Sequence, residues 1–307
     1  MTNNNKLVVK DNALIDASFN LSLIEQRIML LAIVEARECQ NLSPDSPIEV
    51  SVGDYIHQFK VDSNNAYNLI KDAAKTLKRR EFSYLDRYKG KEALTTANWV
   101  NKVTYVDSSG LVVLYLSNEV ISLISRLSEQ FTKYYLEQVS DFKSKYSIRL
   151  YELVIKWLSL GQTDKYNISD LRSKLGLDVQ EYSTMSNFKS NVLDKAVAEI
   201  NKHTNIHLNY EQFKKGRVIT DIQFLIKSKP SISRQRSAKT VQDKFHQMSD
   251  AQINIFGNQL SRLHELSHLA SEGDSYEILA SKIKEMLRDP KDQKQLIPHL
   301  KNLGFKS

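Results

Sequence analysis

The sequence predicts an α+β, mostly helical fold: two tandem copies of one helix–short helix–turn–helix–hairpin unit and a small helical C-terminal extension. Three observations predict it. A capping box, Ser22-Leu-Ile-Glu25, opens a helix that is followed by a strand, a short helix, a longer helix and a basic-tipped β-hairpin. That order of elements recurs from Tyr146 to Lys227, as an internal duplication does. A chain of 307 residues, 41% hydrophobic and 26% charged, is long and apolar enough for two domains and a small third.

In the first copy, apolar residues Leu23, Ile24, Ile28, Leu31 and Ala32 follow the capping box. Pro44 and Pro47 break the chain, and Ile48–Val52 alternates as a short strand. Gly53–Phe59 reads as a short helix, and Asp62-Ser63-Asn64 as a turn with an N-cap. A second helix runs from Asn65 to about Arg80. Ala66, Ile70, Ala73 and Leu77 form its core stripe, and Asn64, Asn68, Lys71, Lys75 and Arg79 lie opposite. Three β-type runs follow: Glu81–Asp86, Leu94–Val106 and Leu111–Ser117. The first two flank the basic tip Arg87-Tyr-Lys-Gly-Lys91.

The second copy starts with an amphipathic helix, Tyr146–Leu160, ended by Gly161. Tyr166–Ile168 is a short strand and Ser169–Leu175 a short helix closed by Gly176. Ser186 is the expected N-cap of a long helix, Asn187 to about His203. Ile206–Glu211 and Val218–Lys227 form a hairpin around Phe213-Lys-Lys-Gly-Arg217. This order is that of a winged helix, so two tandem winged-helix domains are expected. Residues 229–244 are polar and basic with Pro230, a linker composition. Residues 245–307 read as helical, with Tyr276, Leu279, Ile283, Met286 and Leu287 as one stripe, stopped by Asp289-Pro290.

Composition removes several function classes. The longest apolar stretch, around Ile28–Val34, is far too short to span a bilayer, and the N-terminus MTNNNK has no signal-peptide core. The single cysteine, Cys39, forms no intrachain disulfide, so a reducing cytoplasm is the expected compartment. Nine scattered glycines write neither phosphate-loop nor dinucleotide-binding fingerprint. No cofactor is expected. The net charge is +7, and residues 245–307 contribute none of it, so the excess of 35 basic over 28 acidic residues lies in residues 1–244. A nucleic-acid footprint is expected there.

The candidate reader is the helix Asn187–His203. Phe188, Val192, Leu193, Ala196, Val197 and Ile200 gather on one side. Asn187, Ser190, Asn191, Asp194, Lys195, Ala198 and Lys202 lie on the other, with Lys189 beside them. A DNA major groove admits one helix and displays donors and acceptors to it, so Asn suits adenine and Lys suits guanine or phosphate. The tips carrying Lys214, Lys215 and Arg217, and Arg87, Lys89 and Lys91, are the expected phosphate clamps or minor-groove probes. A polar helix face is ordinary by itself; its place between a turn and a basic wing favours DNA.

The rival is His264-Glu-Leu-Ser-His268, which fits the H-E-x-x-H pattern, in which two histidines one turn apart hold zinc. The downstream third ligand and an accompanying sheet are missing; only Glu285 or His299 is placed to serve. Two surface histidines are the plainer reading of His264 and His268. His203 and His207 match no nicking-enzyme pattern, and no nucleophile–base order marks a hydrolase.

Several segments resemble one family. Lys10–Ala13 with Leu23-x-Glu-Gln-Arg27, Tyr146-Ser-Ile-Arg-Leu-Tyr-Glu152, Phe188-Lys-x-x-Val-Leu-Asp-Lys-Ala196 with Glu199-Ile-Asn201, and Lys214-Lys-Gly-Arg217 are similar to the iteron-binding Rep initiators of theta-replicating bacterial plasmids. The match spans about residues 8 to 227. The resemblance implies a winged-helix domain over 1–130 that gives the dimer interface and accessory DNA contacts, and one over 131–228 that gives the main recognition helix. It also implies monomers on directly repeated double-stranded origin DNA, and a homodimer, in equilibrium with the monomer, on an inverted repeat that represses the protein's own gene. A host initiator and replicative helicase are the implied partners, with no membrane and no catalysis. A winged-helix repressor without origin function, and a zinc hydrolase built on His264, are the alternatives.

Overall fold

The structure is a computed structural model that describes residues 6–64, 66–125, 131–229, 248–263, 266, 269, 275–303 and 305. The chain divides into two compact units, 1–232 and 233–307.

The first unit begins with β1 (Leu7–Asp11) and α1 (Asn12–Asp16), capped by the Asp11 carboxylate. α2 (Leu23–Ala36) starts at the expected capping box, with Ser22 and Glu25 satisfying each other's backbone N–H. β2 (Ile48–Ser51), α3 (Val52–Phe59) and α4 (Ala66–Leu77) follow as the periodicity predicts. Then come β3 (Glu81–Tyr88), β4 (Lys91–Asn98), β5 (Val100–Val106), β6 (Leu111–Leu116), α5 (Asn118–Ser125), β7 (Phe131–Tyr135) and α6 (Glu137–Ser140). The second half comprises α7 (Lys145–Ile155), β8 (Tyr166–Asn167), α8 (Ile168–Lys174), α9 (Met185–Phe188), a π-helical turn (Lys189–Leu193), α10 (Asp194–His203), β9 (Ile206–Lys215) and β10 (Val218–Ser228).

The duplication is written in the sheets. One sheet has the order β2-β6-β5 and the other β8-β10-β9, all antiparallel, so each half threads the same path. This comparison corrects the first wing. The run Leu94–Val106 is two strands, separated at buried Trp99, and they belong to different sheets. The turn equivalent to Phe213–Arg217 is therefore Asp107–Gly110, which holds no cation. Lys89 and Lys91 sit instead at the tip of an inserted two-stranded ribbon, β3–β4.

Three further expectations change. The helix expected over Tyr146–Leu160 ends at Ile155, and turns carry the chain to Gly161 in the left-handed region. The long helix starts at Met185, capped by Thr184 rather than Ser186. The ladder of β1 with β7 crosses the division expected between residues 130 and 131.

Buried polar groups tie the two halves together. Glu152 Oε1 accepts from Lys10 Nζ and Tyr134 Oη, each at 2.6 Å, and Glu152 Oε2 accepts from Arg149 at 2.8 Å. The same guanidinium donates to the carbonyls of Ile15, Ala17 and Lys174. Arg27 reaches the Phe142 carbonyl at 2.8 Å. At Gly176, with φ +74°, a Cβ would stand 2.2 Å from the Phe19 carbonyl oxygen, so this close approach of the halves requires glycine. One hydrophobic core runs from Val8 to Ile226. It covers α2 on nearly all sides, with Ile28, Met29, Leu30, Leu31, Ala32 and Ile33 buried. The wide apolar arc of that helix is thus filled inside the chain.

The second unit is helical, as expected: α11 (Asp250–Leu260), α12 (Tyr276–Arg288) and α13 (Pro290–Asn302), with Pro290 at the first helical position. Ile253, Leu260, Leu279, Ile283, Leu287, Leu296 and Leu300 form its own core. Tyr276, placed by its spacing in the α12 stripe, is 71% exposed at the helix start. His264 and His268 lie outside the described residues, as do residues 230–247, which hold nearly all of the expected linker. Among the described residues no cluster of metal-ligating side chains occurs, and no helix is long and apolar enough to cross a membrane.

Candidate nucleic-acid interface

The segment Met185–His203 lies on the second-half core through Phe188, Val192, Leu193, Ala196 and Ile200, all buried. Its opposite side leaves Asn187, Ser190, Asp194, Lys195 and Lys202 exposed, with Lys189 and Asn191 half-buried. The C-terminal half of the helix is pinned from behind. Glu199 accepts the backbone N–H groups of Lys143 (3.1 Å) and Ser144 (3.3 Å), ahead of α7. Asn201 exchanges hydrogen bonds with the backbone of Leu208. The ammonium of Lys229 serves the carbonyls of Asn201 and Thr204 at the helix end, where a cation suits the dipole.

Several polar residues on the outward face already have partners. Tyr210 Oη donates to Asp194 at 2.6 Å, and burial with that contact pushes the phenol well above its usual range. Lys189 Nζ lies 6.0 Å from the centre of the Tyr210 ring. Lys195 donates to Asn191 Oδ1 at 3.2 Å. Asp194 is thus a brace between the helix and β9, and the Ser190 hydroxyl accepts from Asn191 Nδ2 at 3.3 Å, while Asn187 and Lys202 keep open side chains.

The β9–β10 tip carries Lys214, Lys215 and Arg217, all exposed, around Gly216 at φ +64°. Among the described residues none of the three forms an ion pair. Lys165, which sequence reasoning passed over, sets its ammonium 3.8 Å from the Phe213 ring centre and adds a fourth cation beside the tip. It sits in the loop before β8, and no local pattern joins it to residue 213.

In the first half, Asn64, Asn68, Lys75 and Arg79 are exposed along α4 and its lead-in, as expected. Lys71 is different. Its ammonium is bound to Asp107 at 2.7 Å, and Tyr67 Oη donates to the same carboxylate at 2.6 Å. These hydrogen bonds hold Asp107 below and Lys71 above their ordinary values. Lys71 therefore fastens α4 to the acidic β5–β6 turn. Lys75 leans on Asp72 at 3.2 Å, an exposed pair of little energetic weight.

The two halves meet on this side. A groove of about 890 Å³ is lined by Arg80 at the end of α4, Lys143 and Lys145 ahead of and at the start of α7, and Asn191, Lys195 and Glu199. Arg80 and both lysines escape sequence reasoning, because only the tertiary fold, with α4 on α2 and α7 on α10, brings them beside residue 195. A face with an open polar helix, a cationic tip and a basic groove offers hydrogen-bond donors and positive charge at several points. That set suits a polyanion with readable edges.

Comparison with known proteins gives the same architecture. Residues 7–155 match the family described as "Initiator Replication protein, WH1", and residues 167–226 match "Initiator Rep protein, WH2". An Escherichia coli replication initiation protein is 25% identical over 227 residues, covering 72% of this chain and 69% of its own. An Escherichia coli protein named only as an uncharacterized 27.6 kDa protein is 24% identical over 229 residues, 71% of this chain and 95% of its own. The crystal structure of the Pi initiator protein in complex with iteron DNA shares the fold, with a TM-score of 0.59 and 23% identity over 73% of this chain and 98% of that one. With both winged-helix modules matched in order and the duplicated sheets in place, the chain belongs to the plasmid replication-initiator (Rep) family.

Proposed function

We propose that this initiator acts by binding directly repeated double-stranded origin DNA as a monomer, through the face built on Met185–His203, and catalyses no reaction. The observation that carries the reading is the pairing of an outward polar row, Asn187, Ser190, Lys195 and Lys202, with the unpaired cations Lys214, Lys215 and Arg217 on the adjoining hairpin. The helix suits a major groove and the cations suit phosphates. The iteron complex of the structural neighbour supports the same class of ligand. Asn68 and Lys75 on α4, with Asn64 ahead of it and Arg79 and Arg80 beyond it, supply the second, weaker set of contacts, and Lys89 and Lys91 add exposed cations at the tip of the inserted ribbon.

A homodimer in equilibrium with the monomer belongs to this reading, with the dimer on an inverted repeat as autorepressor. The β3–β4 ribbon favours it: Leu85 and Leu94 face each other across the ladder and are 69% and 71% exposed. An exposed apolar pair on a two-stranded ribbon suits pairing with a second copy. The opened origin then engages a host initiator and replicative helicase in the cytoplasm. Footprinting on the DNA flanking the gene tests the proposal. Protection of short direct repeats supports it, and uniform cleavage at all concentrations contradicts it.

A further inference from the structure

The helical segment Met185–His203 changes pitch in its middle. Met185–Phe188 and Asp194–His203 are α-helical, but through Lys189–Leu193 the turn is π-helical, and the Asp194 N–H reaches back five residues to the Lys189 carbonyl. A π turn fits one more residue into the helix and disturbs the regular pairing of backbone groups. Here a side chain enters the ladder. Asn191 Nδ2 donates to the Asn187 carbonyl at 3.2 Å and lies 3.3 Å from Ser190 Oγ, while Asn191 Oδ1 accepts from Lys195 Nζ at 3.2 Å. In an α-helix that carbonyl belongs to the backbone N–H of residue 191 itself. The carboxamide adds a side-chain donor at that carbonyl, just ahead of the π turn. A bidentate adenine contact needs both ends of an asparagine amide, and both are engaged within the helix.

We infer that Asn191 is a positioning residue that holds the π turn, and that this turn sets which base edges the helix reads. The inference rests on the reading of Met185–His203 as the DNA-recognition element. One inserted residue rotates the N-terminal part of the helix by about 100° relative to the C-terminal part. Asn187 ahead of the turn and Lys195 and Lys202 beyond it all face outward, and the offset sets the angle between the two parts of that row. The helix cannot correct the offset by rolling as a body, because Phe188 on one side and Ala196 and Ile200 on the other are each fixed in the core. Holding the turn therefore amounts to holding specificity.

The test uses the full chain on a duplex carrying the protected repeat, and on a panel in which each base pair is replaced in turn. Two variants are compared, Asn191→Ala and Asn191→Ser. A serine hydroxyl can donate to the carbonyl four residues back but cannot make the bidentate adenine contact. If Asn191 positions the turn, Asn191→Ala loses about tenfold in discrimination at several base pairs together, and Asn191→Ser recovers most of it. If both variants relax a single base pair to the same extent, Asn191 is a base reader and the inference is overturned. Asn191→Ser decides the matter even if the alanine variant folds poorly. A wild-type chain with no preference among the duplexes would instead overturn the reading of the helix, and this inference with it.

Discussion

Lys10 and Glu152 are 142 positions apart in the sequence and 2.6 Å apart in the fold. One lies on β1 and the other on α7. Both are buried, with Arg149 and Tyr134 completing the cluster. Burial pushes the Glu152 carboxyl up, but Lys10 and Arg149, with the Lys10 and Tyr134 hydrogen bonds, outweigh it and hold the group below the ordinary glutamate value. Glu152→Gln leaves two cations buried without their counter-charge. Removal of one partner from such a cluster costs about 3–5 kcal/mol. The urea midpoint of the first unit should fall accordingly, with both halves unfolding together. An unchanged midpoint would show that the cluster does not join them.

Glu25 gives a pH prediction. Burial pushes its carboxyl up, yet hydrogen bonds from Arg80, Thr76 and the Ser22 N–H hold it below the ordinary value. A carboxylate depressed in the folded state stabilises fully above the unfolded value of about 4.3, and the contribution disappears as pH falls through the lower folded value. Urea midpoints measured from about pH 6 to pH 3 should therefore fall less steeply at the acid end in Glu25→Gln than in the wild type. Parallel acid limbs would assign the loss to other carboxylates.

The second wing should act on the backbone of any duplex. Replacing Lys214, Lys215 and Arg217 together with Ala should weaken binding to specific and scrambled DNA alike. It should also flatten the log–log salt dependence by about 0.9 for each phosphate that the tip no longer neutralises. A slope identical to that of the wild type would place the tip away from the DNA.

Much of the fold was legible in the sequence, for local reasons. The Ser22–Glu25 capping box, the buried stripe Phe188–Ile200 and the cationic tip around Gly216 are all set by residues within a few positions of one another. What escaped was decided across the fold. Glycine at 176 looked like a helix stop, and its stricter requirement comes from Phe19, far away in the chain. Lys71 fell on the outward face of α4 by phase, but Asp107 claims it from the β5–β6 turn. Arg149 and Glu152, prominent in the resemblance, hold the halves together rather than DNA. The break at Trp99 was hidden because a continuous β-type run carries no sign of which sheet each part joins. The π turn, too, preserves an apolar stripe, so periodicity alone passes over it.

The two compact units predict the result of truncation. Ending the chain after Lys229 keeps β10 and the Lys229 caps on the end of α10, and removes only the unit built on α11–α13. Specific DNA binding should be retained within a few-fold, measured by titration of a single-repeat duplex. Lost binding with an intact fold would give the helical unit a part in DNA recognition.

Lys195 offers the most direct measurement of the central claim. It is exposed on the outward face of α10, lines the basic groove and donates to half-buried Asn191. Affinities of the wild type and Lys195→Ala for one protected repeat and for a scrambled duplex, at one salt concentration, form the experiment. The account predicts that the variant loses about 1–3 kcal/mol on the repeat and much less on scrambled DNA, with an unchanged thermal midpoint. Equal affinity of variant and wild type for the repeat would contradict the claim that this helix face reads DNA.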